Sequence, residues 1–131
     1  MNLFVYGSLM FPEVVKAVIG KQLLMKDAVL KGYKRYKVEN GEYPAIVKDE
    51  DSSVTGKLIE IDKNGLKVLD SFEGEEYKRE TVLVEVDGKK QKAEAYIWKS
   101  NQKLSKTWSL EEFKEKHIKK FIESIPRRLR K

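Results

Sequence analysis

The chain has 131 residues, 40% hydrophobic and 37% charged, which suits one soluble domain large enough to bury its own core. It contains no cysteine and one histidine, which excludes a disulfide framework, a thiolate metal site and a histidine cluster. The net charge of +6 arises from 27 Lys and Arg against 21 Asp and Glu; the two signs interleave along most of the chain, so the pattern reads as a solvated surface and nucleic acid is disfavoured as a partner.

Residues 3–6 (LFVY) predict a buried strand, and Pro12 opens a short helix, PEVVKAVIG, stopped by Gly20. Between Leu23 and Val47 short strand-like runs are expected, punctuated by Gly32, by ENGEYP and by an acidic loop, KDEDSS. VTGKLIEI (54–61) predicts a strand whose internal Gly56 marks a bulge or a sharp bend. DKNGLKVLDSFEG predicts a helix with Asp62 as its N-cap and Gly74 as its stop. TVLVEV and KAEAYIW flank DGKKQ, whose Asp-Gly pair signals a hairpin. SLEEFKEKHIKKFIES predicts a last helix, with a capping box from Ser109 to Glu112 and a stripe of Leu110, Phe113, His117 and Phe121. Many strands with glycine bends and few helices predict an α+β domain: a small, curled, barrel-like mixed sheet with flanking short helices and a C-terminal helix. This single domain is expected over residues 1–125, with a basic tail at 126–131. No apolar run approaches the roughly 20 residues that span a bilayer. MNLFVYGS lacks the basic and apolar regions of a secretory signal, so no membrane partner and a cytoplasmic location are expected.

Two stretches carry chemistry. In FVYGSLM, Gly7 sits where a strand hands over to a helix. Successive backbone N–H groups can turn outward there, and with the positive end of the following helix they form an anion site that only a small residue lets a ligand approach. The same spacing also fits an ordinary strand–helix turn. In LDSFEG, Glu73 follows Leu66 by seven residues and Leu69 by four, at the edge of the helix's apolar face. Burial and the negative helix end both disfavour its carboxylate, which predicts a raised pKa and a group able to take and return a proton near neutral pH. The competing reading is a surface pair with a lysine. His117, on the apolar stripe, reads as a packing residue. Asp49, Glu50 and Asp51 lack calcium-loop spacing and read as solvated loop. Asp70, three residues before Glu73, either tunes it or faces water. Trp98 and Trp108 read as core or pocket wall.

FVYGSLM, YPAI (43–46), VTGKLIEI, VLDSFEGEEYKRETV (68–82) and AYIW (95–98), in that order, resemble the gamma-glutamylcyclotransferase-like superfamily. WSLEEF followed by His117 and Phe121 resembles its avirulence-induced-gene-like branch. The resemblance covers nearly the whole chain and implies a small β-barrel with flanking helices. It implies that Tyr6, Gly7, Ser8 and Leu9 form the substrate-pocket turn and that Glu73 is the catalytic acid/base. Tyr43, Tyr77 and Arg79 match family positions and are expected at the substrate. The implied reaction converts a γ-glutamyl amine, or a related γ-glutamyl compound, to 5-oxoproline and free amine, without metal or cofactor and with a small-molecule substrate as the partner. A non-catalytic small-molecule binding module with the same barrel and pocket is the alternative.

Overall fold

A computed structural model describes residues 1–39, 43–100, 104–105 and 108–128. Strands β1 (Asn2–Val5), β2 (Met25–Lys37), β3 (Pro44–Glu60), β4 (Tyr77–Val86) and β5 (Lys89–Trp98) close into a barrel in the order β1-β3-β2-β4-β5. Neighbours run antiparallel except β1 and β5, which meet in parallel at Leu3 and Glu94, so the sheet is mixed as expected.

The two-residue period of a strand sorts the apolar side chains into two cores. Phe4 of β1 points into the barrel with Leu30, Val54, Leu58 and Val84. Leu3 and Val5 point outward, to a layer of helices. Ala28, Ala93 and Ala95 keep side-chain volume low inside this narrow barrel. Gly56 has a related purpose: a Cβ there would collide with the Val5 carbonyl oxygen and stand 2.8 Å from the Phe4 ring. Its role is close approach of β1, and the bulge expected there falls at Gly32, which has a positive φ of 86°. At that point the β2–β3 register jumps from Lys31–Ser53 to Tyr33–Lys48. Residues 49–52, expected as an acidic loop, are therefore the protruding part of a continuous 17-residue β3.

The helical layer follows its sequence signals. Helix α1 (Pro12–Ile19) starts on its proline and stops at Gly20, which is left-handed with φ 90°. Helix α2 (Lys63–Glu73) is capped by Asp62, whose Oδ1 accepts the Gly65 N–H at 2.7 Å, and ends at Gly74, φ 82°. At the C-terminal end, α3 (Leu110–Glu112), a π-helical turn (Phe113–His117) and α4 (Ile118–Arg128) succeed one another. Ser109 Oγ accepts the Glu112 N–H at 3.2 Å, one half of the expected capping box. Val14 and Val15 of α1, Leu66 and Leu69 of α2, and Phe113, Phe121 and Ile125 bury one shared core against the outer face of the barrel. Asp87 and Gly88 join β4 to β5 with φ values of 52° and 78°, the positive pair that a two-residue hairpin turn requires. Helix α4 continues to Arg128, so residues 126–128 of the expected tail form its last turn. Residues 129–131 of the tail, and 40–42 within ENGEYP, lie outside the described residues. No helix among the described residues is long and apolar enough to cross a membrane.

Candidate active site

A cavity of about 710 Å³, including its open mouth, lies where the end of β1, the start of β3 and the end of α2 converge. Val5, Tyr6, Gly7, Ser8 and Leu9 form one wall. Tyr43 and Pro44 form a second, Phe72 and Glu73 a third, and Glu76, Tyr77 and Phe121 complete it.

The first wall is built by a tight turn. Beyond β1 the chain reverses into a single 3₁₀ turn, Ser8–Met10, closed by the Met10 N–H on the Gly7 carbonyl at 2.9 Å. A Cβ at Gly7 would stand 2.6 Å from Pro44 Cγ and 2.8 Å from its Cδ. Glycine at this position therefore lets the Pro44 ring seat against the turn. Pro44 in turn offers its carbonyl to the Tyr77 hydroxyl at 2.6 Å, and the Tyr77 ring packs edge-on against Trp98, centroids 5.1 Å apart. Three stretches distant in sequence, YGSL, YP and EY, are thereby fixed around one space.

Glu73 is the last residue of α2 and partly buried. Burial, above all, holds the Tyr6, Tyr77 and Tyr96 phenols above the ordinary tyrosine range, and the nearby charge of Glu73 adds to the effect on each. These hydroxyls stay protonated at any physiological pH and act as hydrogen-bond donors. Tyr6 donates to the Tyr96 carbonyl at 2.5 Å, and Tyr96 donates to Asp70 Oδ1 at 2.7 Å. Asp70 also receives Arg79 Nε on Oδ1 at 3.0 Å and Nη2 on Oδ2 at 3.2 Å. Arg79 Nη1 donates to Glu94 Oε1 at 2.8 Å, and Thr81 Oγ1 donates to Glu94 Oε2 at 2.6 Å. This chain of polar contacts ties the last turn of α2 to β4 and β5.

Six of the residues expected at a site from sequence line the cavity together with Glu73: Tyr6, Gly7, Ser8, Leu9, Tyr43 and Tyr77. Arg79 is not among the lining residues; its guanidinium is engaged by Asp70 and Glu94. Asp70 does not line the cavity; its side chain is partly exposed, and its oxygens accept hydrogen bonds from Arg79 and Tyr96. Val5, Pro44, Phe72, Glu76 and Phe121 were not singled out by sequence as cavity residues. Phe72 is the first residue of the FEG motif, Glu76 follows it by two residues, and Phe121 lies on the predicted stripe, so each had a positional signal without a chemical one. His117 packs its ring 6.4 Å from Phe113 and sits 3.8 Å from a Glu112 carboxylate oxygen. Among the described residues no group of His, Cys, Asp and Glu is placed to hold a metal ion.

The family model described as "Gamma-glutamyl cyclotransferase, AIG2-like" matches residues 3–115. The chain is 36% identical over 133 residues to Protein AIG2 C of Arabidopsis thaliana, covering 98% of this chain and 81% of that protein. A solution structure of an Arabidopsis thaliana protein superposes with a TM-score of 0.73 at 34% identity, over 94% of this chain and 86% of its own. A solved gamma-glutamyl cyclotransferase also superposes at 0.73, over 96% and 86%; at 18% identity this is a likeness of fold. Barrel and helices define the class, the gamma-glutamyl cyclotransferase fold. The chain belongs to the AIG2-like gamma-glutamyl cyclotransferase family.

Proposed function

We propose that the protein is a cyclotransferase that converts a γ-glutamyl amine, or a related γ-glutamyl compound, to 5-oxoproline and free amine. The observation that carries this reading is the shared cavity: the carboxylate-bearing end of α2 and the Tyr6–Leu9 turn line one space. Family membership supports the reaction class.

In this reading the backbone N–H groups of the turn hold the α-carboxylate of the glutamyl group. Glu73 takes a proton from the substrate's α-ammonium. The freed amine attacks the side-chain carbonyl carbon, a C–N bond forms, and the carbonyl electron pair moves to oxygen. Collapse of that intermediate breaks the bond to the leaving amine, which receives the proton from Glu73; Glu73, ionised again, takes the surplus proton of the new ring nitrogen and passes it to the released amine, which departs as an ammonium ion. Protons balance within the substrate and Glu73, and no step uses a metal or cofactor. Closure of a five-membered ring is already intramolecular, so the cavity's work is to fold the substrate and steady the oxyanion. Tyr43 and Tyr77 act as walls against the substrate. Arg79 contributes by holding Asp70, and with it the turn that carries Glu73. A cytoplasmic site of action belongs to the same reading.

Release of 5-oxoproline from a panel of γ-glutamyl amines and γ-glutamyl amino acids tests the proposal. Turnover of at least one member is expected. Binding without any release across the panel would make the protein a binding module on the same barrel.

A further inference from the structure

Arg35 belongs to none of the motifs above and is not among the lining residues of the cavity, yet it grips the turn that is. From β2 its Nη1 donates to the Tyr6 carbonyl oxygen at 2.7 Å and to the Thr55 carbonyl oxygen at 3.2 Å. Its guanidinium carbon lies 5.4 Å from the centre of the Trp108 ring. Its Nε is buried and has no hydrogen-bond partner among the described residues. Burial lowers the pKa of Arg35 from its ordinary value, the mark of a cation stripped of part of its water. A partly desolvated cation with a spare buried donor costs folding free energy, so its presence at this spot calls for a compensating role.

The geometry of one peptide unit supplies that role. The Tyr6 carbonyl and the Gly7 N–H belong to a single planar, trans unit, and in such a unit the two groups point in opposite directions. The Gly7 N–H therefore leaves on the side away from Arg35. A cation bonded to the oxygen draws electron density through the unit and makes that N–H a stronger donor. We propose that Arg35 is a positioning residue for an anion in the cavity: it clamps the Tyr6 carbonyl and polarises the Tyr6–Gly7 peptide, so that the Gly7 N–H holds a carboxylate. Trp108 covers one face of the guanidinium and keeps water from screening its charge. The inference rests on the reading of the turn as the carboxylate-holding part of the site, and adds that part of its strength comes from outside the cavity.

Calorimetric titration with 5-oxoproline and with its neutral amide, 5-oxoprolinamide, tests this in the wild type, Arg35→Gln and Arg35→Lys. The wild type is expected to prefer the anion about tenfold or more, the scale of one charge-assisted hydrogen bond. Arg35→Gln should lose about tenfold in affinity for 5-oxoproline and leave 5-oxoprolinamide unchanged, with Arg35→Lys in between. In ligand-free protein the Gly7 amide proton should move upfield in Arg35→Gln and less in Arg35→Lys. A purely structural Arg35 would weaken both ligands alike. Equal loss for both ligands, or an unmoved Gly7 amide, overturns the proposal. So does a wild type with no preference for the anion, including one that binds neither ligand, and that measurement needs no variant to fold. Turnover is judged separately. An Arg35-dependent anion preference without 5-oxoproline release removes the cyclotransferase reading and leaves Arg35 its role; release accompanied by equal loss for both ligands does the reverse.

Discussion

Asp70 and Glu73 stand one turn apart on α2 and look onto two different regions, a polar brace and a cavity. Both Asp70 oxygens accept hydrogen bonds from Arg79, one of them also from Tyr96, and the brace continues through Glu94 to Thr81. Glu73 opens on the cavity, with the phenols of Tyr6 and Tyr77 within its electrostatic reach. The two residues differ by one methylene, and their surroundings give them different work. A carboxylate bonded to an arginine and a tyrosine fastens the helix; a carboxylate that lines a cavity is placed for the proton transfer proposed above. In that proposal the second depends on the first, because a proton-transfer group is only as well placed as the turn that carries it.

The comparison breaks most visibly at Glu73. Glu73→Gln keeps the size of the side chain and removes its proton transfer, so 5-oxoproline release should fall by about 10²-fold or more while the thermal midpoint stays within a few degrees of wild type. Near-normal turnover in a folded variant would take Glu73 out of the chemistry and erase the distinction.

Asp70→Asn should do the opposite in kind. It weakens the charged hydrogen bonds of the brace, and urea unfolding should register a loss of about 1–2 kcal/mol. That figure is discounted for screening by solvent, because the Asp70 and Arg79 side chains are 41% and 30% exposed. Turnover should drop by up to about tenfold, through kcat more than KM, as the last turn of α2 loosens. A loss of activity as deep as that of Glu73→Gln, at unchanged stability, would move Asp70 into the chemistry.

The smallest effect is one of pH. Burial raises the Tyr6, Tyr77 and Tyr96 phenols, so the folded protein keeps protons that the unfolded chain releases. Their contribution to stability is complete below the unfolded value of about 10 and is lost as pH rises from there towards the folded values, by at most about 1.4 kcal/mol per pH unit for each phenol. Urea melts from pH 9 to 11.5 should show this fall, shallower in Tyr96→Phe by about 1 kcal/mol per pH unit. An unchanged slope would mean that the Tyr96 phenol ionises within the fold and that the brace is more open than its hydrogen bonds suggest.

Much of this was legible in the chain because it is local. The Asp62 cap, the Gly20 and Gly74 stops and the Asp-Gly hairpin each depend on a few consecutive residues, and each formed where its signal lies. The turn at Gly7 and the position of Glu73 were also readable, one from a strand–helix junction and the other from helical spacing. What escaped depends on partners far along the chain. Gly56 resembles a bulge until the Phe4 ring above it is known, and the acidic run at 49–51 resembles a loop until Gly32 opposite absorbs its extra residues. Arg79 reads as a substrate contact by position, and only the pairing of β4 with β5, which brings it to Glu94, and the placement of α2, which brings Asp70 to it, show otherwise. Arg35 had no signal, since its importance lies in which carbonyl it reaches.

Phe113 and Phe121 are eight residues apart, yet their rings meet edge to face with centroids 5.3 Å apart, and Phe121 walls the cavity. In a regular α-helix eight residues make about 2.2 turns, which would set the two rings about 80° apart around the axis. The π-helical turn at Phe113–His117 takes up one residue more than an α-turn does, so the interval counts as seven, about 1.9 turns, and the rings fall on one side. The cavity wall is thus indexed by a number of residues upstream of it, whatever those residues are. A chain one residue shorter between Phe113 and His117 can wind as unbroken α-helix and still bring Phe121 to the same place. A chain of the present length that let the π-turn relax would turn α4 by about 100° and carry Phe121 away from Phe72, opening the cavity on the side where the C-terminal helix now closes it.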